Sequence, residues 1–163
     1  MFRVLEDINA KNADAMYSAG SAMTIGMGVV KGANFEADFP SEATATDVFF
    51  VTKEIIPTGL DSLKGEISDY ALEAIVDGEK VVLVKPIIGE IYWTDQIDSG
   101  ITKDNYVVVG TDGKFEKATS SAKSNLKVVS TDVKDAGVHA GIAIEVVDWA
   151  TVSASSDVYM KGD

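Results

Sequence analysis

The chain has 163 residues, with 14 basic and 26 acidic side chains, a formal net charge of -12 and no cysteine. That length suits one domain, which buries about 70% of its unfolded surface and needs no covalent staple to fold. The acidity sets the chain against phosphate backbones and anionic lipid surfaces, and the lack of cysteine excludes disulfides and thiolate metal sites. No stretch approaches the roughly 18–20 apolar residues that a membrane helix needs. Acidic Glu6 and Asp7 stand where a signal peptide has its apolar core, so synthesis in a cytoplasm is expected.

Residues 1–24 differ in texture from the remainder. Phe2, Val4, Leu5 and Ile8 precede Met16, Tyr17 and a run of small residues, Ser18 to Ala22. Two forms are open: a short helix capped by Asn9 or Asn12 and carrying Ala13, Met16 and Tyr17, or an extended arm lying on another subunit. The arm, with a turn or two of helix, is the expected form. It makes Phe2, Val4, Leu5, Ile8, Met16 and Tyr17 candidate subunit-interface residues.

Strand signals begin at Thr24. Ile25-Gly26-Met27-Gly28-Val29-Val30 contains a Gly-x-Gly, but the dinucleotide fingerprint requires a third glycine three positions on, opening a helix. Here Gly32 comes four positions after Gly28 and the chain runs on toward Pro40 without helical periodicity. Glycines that let a strand bend or bulge are the expected reading. Asp47 to Thr52 reads as a strand, and Pro57-Thr58-Gly59 as a turn. From Leu60 to Ile75 helix and short strand both remain open, with Ser68 as a candidate cap.

The stretch from Glu79 to Phe115 is the expected centre of the fold. Val81 to Val84 follows Asp77-Gly78, and Tyr106 to Val109 leads into Asp112-Gly113; β-branched and aromatic runs bounded by Asp-Gly are the mark of antiparallel strands. Between them stand Tyr92 and Trp93. Adjacent strand residues face opposite sides, so one is expected in the core and the other at solvent or a neighbouring subunit. Residues 117–125 read as a polar loop and Leu126 to Val129 as a strand. Val138, Ala140, Ile142, Ile144 and Val146 alternate along a last strong strand. From Asp148 the chain reads as a tail with one weak strand around Val152 or Val158-Tyr159. The predicted organisation is an arm at 1–24, a β domain at 25–150 and a C-terminal tail at 151–163. The predicted fold is a mainly β, compact antiparallel barrel or sandwich with at most one or two short helices.

No catalytic constellation emerges. The sole histidine, His139, lies on the face opposite Val138 and Ala140, with no Gly-x-Ser-x-Gly elbow to accompany it. One histidine without cysteine disfavours zinc. The acidic groups Glu36/Asp38/Glu42, Asp95/Asp98 and Asp132/Asp135 do not follow the calcium-loop pattern and read as solvated loops. Gly110-Thr111-Asp112-Gly113-Lys114-Phe115 lacks the spacing and the Ser or Thr of a phosphate cradle and reads as a β-turn. No catalytic, metal or cofactor-binding residue is expected.

The runs Val81 to Val84, Gly89 to Tyr92, Val107 to Phe115 and Val138 to Val146, in a small acidic cysteine-free chain, resemble virion proteins of tailed bacteriophages. Among these the chain is most similar to capsid decoration (cement) or minor head proteins. The resemblance covers about residues 25–147 and is one of texture, with no diagnostic motif. It implies a structural protein without enzymatic activity or cofactor, bound to the capsid exterior and bridging major capsid subunits as a dimer or trimer. It also implies no direct contact with nucleic acid or membrane. The alternatives are a tail-tube or other tail structural protein, or a carbohydrate- or receptor-binding module with Tyr92, Trp93 or Tyr106 as a stacking platform.

Overall fold

The computed structural model describes residues 2–6, 13–53, 73–132, 140–153 and 160–161. Its strands in chain order are β1 (Phe2–Glu6), β2 (Ala13–Asp14), β3 (Ser18–Ala19), β4 (Met23–Thr24), β5 (Gly28–Lys31), β6 (Glu36–Asp38), β7 (Phe49–Thr52) and β8 (Ala74–Ile75). They continue with β9 (Val82–Val84), β10 (Ile91–Thr94), β11 (Tyr106–Val109), β12 (Phe115–Lys117), β13 (Lys123–Ser130), β14 (Ile142–Thr151) and β15 (Met160–Lys161). The helical content among the described elements is one 3₁₀ turn, Ala33–Phe35. The protein is thus mainly β, as the alternating apolar runs predict, and takes the sandwich form.

One sheet has the order β1-β10-β14-β13-β11-β12, with β15 also paired to β14. The other has the order β2-β9-β7-β5-β6-β3, and β4 pairs with β8 apart from both. β10 pairs with the first part of β14 and β15 with its far end, at Ala150↔Lys161 and Thr151↔Met160. All of these ladders are antiparallel except β3 with β6.

The main core lies between the two sheets. Phe50 of β7 stacks on Tyr92 of β10 at 4.7 Å between ring centroids and on Phe115 of β12 at 5.2 Å. Val84 joins it from the second sheet, and Val107, Val109, Leu126, Val128, Ile144 and Val146 from the first. Offset aromatic contacts of this kind add to what burial alone contributes. The sheets approach so closely that a Cβ on Gly28 would stand 2.3 Å from Val109 Cγ2. Gly26, at φ 91, turns the chain between β4 and β5, so the Gly-x-Gly serves a turn and a close sheet contact. A second cluster on the other face of the second sheet gathers Val29, Val51 and Leu83 under Met23, Ile25 and Ile75.

Several expectations are corrected. The predicted arm at residues 1–24 is woven into the body: Phe2, Arg3 and Val4 pair with Thr94, Trp93 and Tyr92, Ala13 with Val84, Ser18 with Glu36 and Met23 with Ile75. Within this segment Ala19 and Met23 are buried in the chain's own core, where apolar side chains gain more than in water. Ala13 is extended, so no helix joins it to Met16 and Tyr17; Ile8, Asn9 and Asn12 lie outside the described residues. Most of Leu60–Ile75, including Ser68, also lies outside them, while Ile75 is a buried strand residue.

The stretch around Glu79 to Phe115 is no single hairpin system. Asp112-Gly113 does join paired strands, with Val109 opposite Phe115 and Gly113 at φ 80. Asp77-Gly78 turns the chain without doing so, because β8 pairs with β4 and β9 with β7 and β2. Strand β13 starts at Lys123, inside the predicted loop, and β14 runs on to Thr151, through residues 148–151 where no strand was read. His139, Val138 and the Val158-Tyr159 pair lie outside the described residues.

Candidate functional site

Tyr92 and Trp93 do face opposite sides of β10, but both are buried within the chain. Tyr92 enters the inter-sheet core, and Trp93 is covered by the chain's own segment leading into β14. A Cβ on Gly141 would fall 2.6 Å from Trp93 Cζ2, so the backbone itself lies on the indole. Tyr106 is buried too, and burial raises its phenol pKa. None of the three can act as a stacking platform on the surface.

The exposed tryptophan is Trp149, 47% accessible, which lies past the last strand signal in the sequence, at Val146. It borders a concave groove of about 270 Å³ together with Val48, Phe49, Pro86 and Ile88, and with the polar side chains Asp47, Lys85 and Asn125. Two departures from regular geometry meet there. The first is a bulge: between the pairs Leu126↔Val146 and Ser124↔Ala150, the single Asn125 of β13 faces three residues of β14, Val147 to Trp149. Alternation along β14 already sets Trp149 on the outward face, with the partly covered Glu145 and Val147, opposite the buried Ile142, Ile144 and Val146. Ser124 repairs the interrupted ladder from below. Its hydroxyl donates to the Val107 carbonyl at 2.6 Å and accepts the Leu126 N–H at 3.0 Å.

The second departure is Asp47, which holds φ 54, a left-handed conformation that aspartate tolerates better than most residues. It stands at the turn entering β7, beside Val48 and Phe49. The opposite wall is the turn Lys85 to Gly89, closed by the Glu90 N–H on the Ile87 carbonyl at 3.0 Å and by Gly89 at φ 92. This turn is fastened on two sides. Gly89 N–H donates to Val146 O, and Val146 N–H to Glu90 O, just before the bulge. Beneath it the Tyr92 hydroxyl donates to the buried Glu90 carboxylate and lies 3.3 Å from the Lys85 carbonyl. Tyr92 therefore anchors the wall of the groove from inside the core.

Phe49 also belongs to a neighbouring surface cluster. Lys31 Nζ lies 4.8 Å from the Phe49 ring centroid and 4.9 Å from that of Tyr17, and it bonds Asp14 Oδ2 at 2.9 Å. The Lys31 ammonium holds the Asp14 carboxyl below the usual carboxylate range, helped by the Met16 N–H on the same side chain. Tyr17 meets Phe35 edge-on at 5.7 Å. Phe35 sits at φ 59, strained for a bulky side chain, and leaves 56% of itself accessible; Met16 nearby leaves 65%. Of the candidate interface residues in the N-terminal segment, Met16 is thus open to a partner and Tyr17 half-covered. Phe2, Val4 and Leu5 lie on the edge strand β1, with a register shift between Val4 and Glu6.

Among the described residues no cluster of three or more histidine, aspartate or glutamate side chains could hold a metal ion, and no helix is long and apolar enough to cross a membrane. No protein-family model matches the chain, and no curated protein matches it in sequence.

Proposed function

We infer that the protein is a structural component of a phage virion that binds the outer surface of the capsid and bridges major capsid subunits without catalysing a reaction. The observation that carries this reading is the exposed Phe35, edge-on to the half-covered Tyr17, with exposed Met16 next to Tyr17 in the chain, on a strongly acidic protein. Exposed apolar residues grouped in this way mark protein–protein contact surfaces. A two-layer β body with aromatic rings locked between its sheets suits a clamp that must not deform. A net charge of -12 is tolerable on a shell exterior and unfavourable against packaged DNA. The resemblance in texture to decoration and minor head proteins points the same way, and a dimer or trimer is the form in which such a clamp spans several subunits.

Incubation with empty capsids followed by electron microscopy tests this reading. Removing residues 1–24 would strip β1 to β4 from the sheets, so truncation does not separate binding from folding. The variant pair Met16→Ser and Phe35→Asn does, because both side chains are exposed and asparagine suits a positive φ. Shell binding by the parent chain and its loss in the double variant are expected. Stacked hexameric rings without shell binding would point to a tail component instead.

A further inference from the structure

The loop between β10 and β11 carries a site of a different kind, independent of the shell-binding reading. We propose that Asp98-Ser99 is a modification site at which the folded protein converts aspartate, through a succinimide, into an L-isoaspartyl residue. The reaction needs the main-chain nitrogen after an aspartate to reach that aspartate's side chain, and glycine and serine hinder it least. Among the described residues, aspartate precedes one of these at Asp77-Gly78, Asp112-Gly113 and Asp98-Ser99. A glycine nitrogen has no Cβ beside it, so in a chain without structure the two Asp-Gly pairs would react first. The fold reverses that order.

In both Asp-Gly turns the attacking nitrogen is committed elsewhere. Gly78 N–H donates to the Ala19 carbonyl at 2.8 Å, and Gly113 N–H to the Gly110 carbonyl at 3.0 Å. The Asp112 carboxylate is held as well: Oδ1 accepts the Lys114 N–H at 3.1 Å and Oδ2 lies 3.7 Å from Lys114 Nζ, which draws it past Gly113. Asp98 is arranged the other way. Its Oδ1 accepts the Ser99 N–H at 2.8 Å, so the side chain already folds back onto the nitrogen it must meet. Asp98, Ser99 and Gly100 are all exposed, and a Cβ on Gly100, at φ 84, would meet nothing within 4 Å. The loop tip therefore leaves room for ring closure, while the Asp98 N–H on the Phe115 carbonyl at 2.8 Å keeps its base in place.

The step balances without a co-reactant. The Ser99 nitrogen loses its proton and bonds to Cγ of Asp98, while the bond from Cγ to its protonated oxygen breaks and water leaves. Water then returns to the five-membered ring. Reopening at Cγ restores aspartate. Reopening at the former main-chain carbonyl carbon leaves the chain running through Cβ and Cγ, one methylene longer, with the old carbonyl as a free carboxylate. Net charge is unchanged. The product is an exposed L-isoaspartyl residue, the substrate class of methyltransferases that move a methyl group from S-adenosylmethionine to its carboxylate.

The test ages the intact protein for weeks in warm, mildly acidic buffer. Isoaspartate is then located by methyltransferase labelling and by electron-transfer fragmentation of the peptides. Conversion at Asp98 should exceed that at Asp77 and at Asp112 several-fold in the folded protein. The same chain held unfolded in guanidinium should show the opposite order. Asp98→Glu, which keeps the charge but would have to close a six-membered ring, should lose the signal at that position. Ser99→Val, whose branched side chain shields the nitrogen, should slow conversion several-fold. Three results would overturn the proposal: no isoaspartate at Asp98, equal or faster conversion at either Asp-Gly pair in the folded chain, or Asp98 leading in the unfolded chain as well. None of these measurements involves a capsid, so this proposal and the shell-binding reading can fail separately.

Discussion

Strand β14 divides into two halves with opposite duties. From Ile142 to Val146 it is paired with β10 and β13 and buried apart from the partly covered Glu145, with one extra β13 residue, Val129, between the pairs Val128↔Ile144 and Ser130↔Ala143. From Val147 to Thr151 the same strand bulges and its cover thins, leaving Asp148, Trp149 and Thr151 exposed. β10 pairs with it as far as Glu145 and β15 from Ala150 on. Register against β13 shifts in both halves, by one residue at Val129 and by two between Val146 and Ala150, so what separates the halves is burial.

The largest effect should come from the buried half. Ile144→Ala opens a cavity between the sheets and should cost about 2–5 kcal/mol in urea unfolding, with the m-value unchanged. Next is Gly28→Ala. Its new Cβ would stand 2.3 Å from Val109 Cγ2, so the sheets must part, at about 1–3 kcal/mol in the same measurement.

Ser124→Ala addresses the boundary between the halves. It leaves the Val107 carbonyl and the Leu126 N–H without their hydroxyl partner in a buried setting, at about 1–3 kcal/mol. Faster amide exchange at Leu126 should accompany the loss.

A smaller, pH-dependent effect belongs to the turn before β9. Glu79 accepts the Val76 N–H at 2.9 Å and Lys53 Nζ at 3.0 Å, and these bonds, the backbone one foremost, lower its carboxyl pKa from the ordinary value. In acid the unfolded chain therefore binds a proton that the folded chain resists. The contribution is fully present above the unfolded value of about 4.3 and is lost as pH falls through the lower folded value. Unfolding midpoints measured across that range should show a shallower acid limb in Glu79→Gln than in the parent. Smallest of all, Trp149→Ala should shift stability by about 1 kcal/mol or less, since its half-exposed ring leaves no closed cavity. A large loss there would erase the division between the two halves of β14.

Where the signal is local, residues alone reveal the structure. Phe49 to Thr52, Val82 to Val84, Tyr106 to Val109 and Ile142 to Val146 are strands, and Asp112-Gly113 is a hairpin turn, because alternation and turn chemistry act within a few residues. Choice of partner is another matter. Val81 to Val84 and Tyr106 to Val109 read alike, yet they entered different sheets. The N-terminal segment looked like an arm because its strands are two to five residues long, too short for a periodic signal. Trp149 lies on the outward face that the alternation of Ile142, Ile144 and Val146 implies, but only once β14 runs on past Asp148, which the sequence did not signal. The sequence by itself determined that this chain is an acidic antiparallel β protein built on alternating apolar runs, because hydrophobic period and turn propensity are properties of neighbours in the chain. Only tertiary structure decided which of its aromatic residues would be buried and that Asp47, Asn125 and Trp149 would share one groove. Their meeting depends on strand pairing across more than a hundred residues, and no short-range preference encodes it.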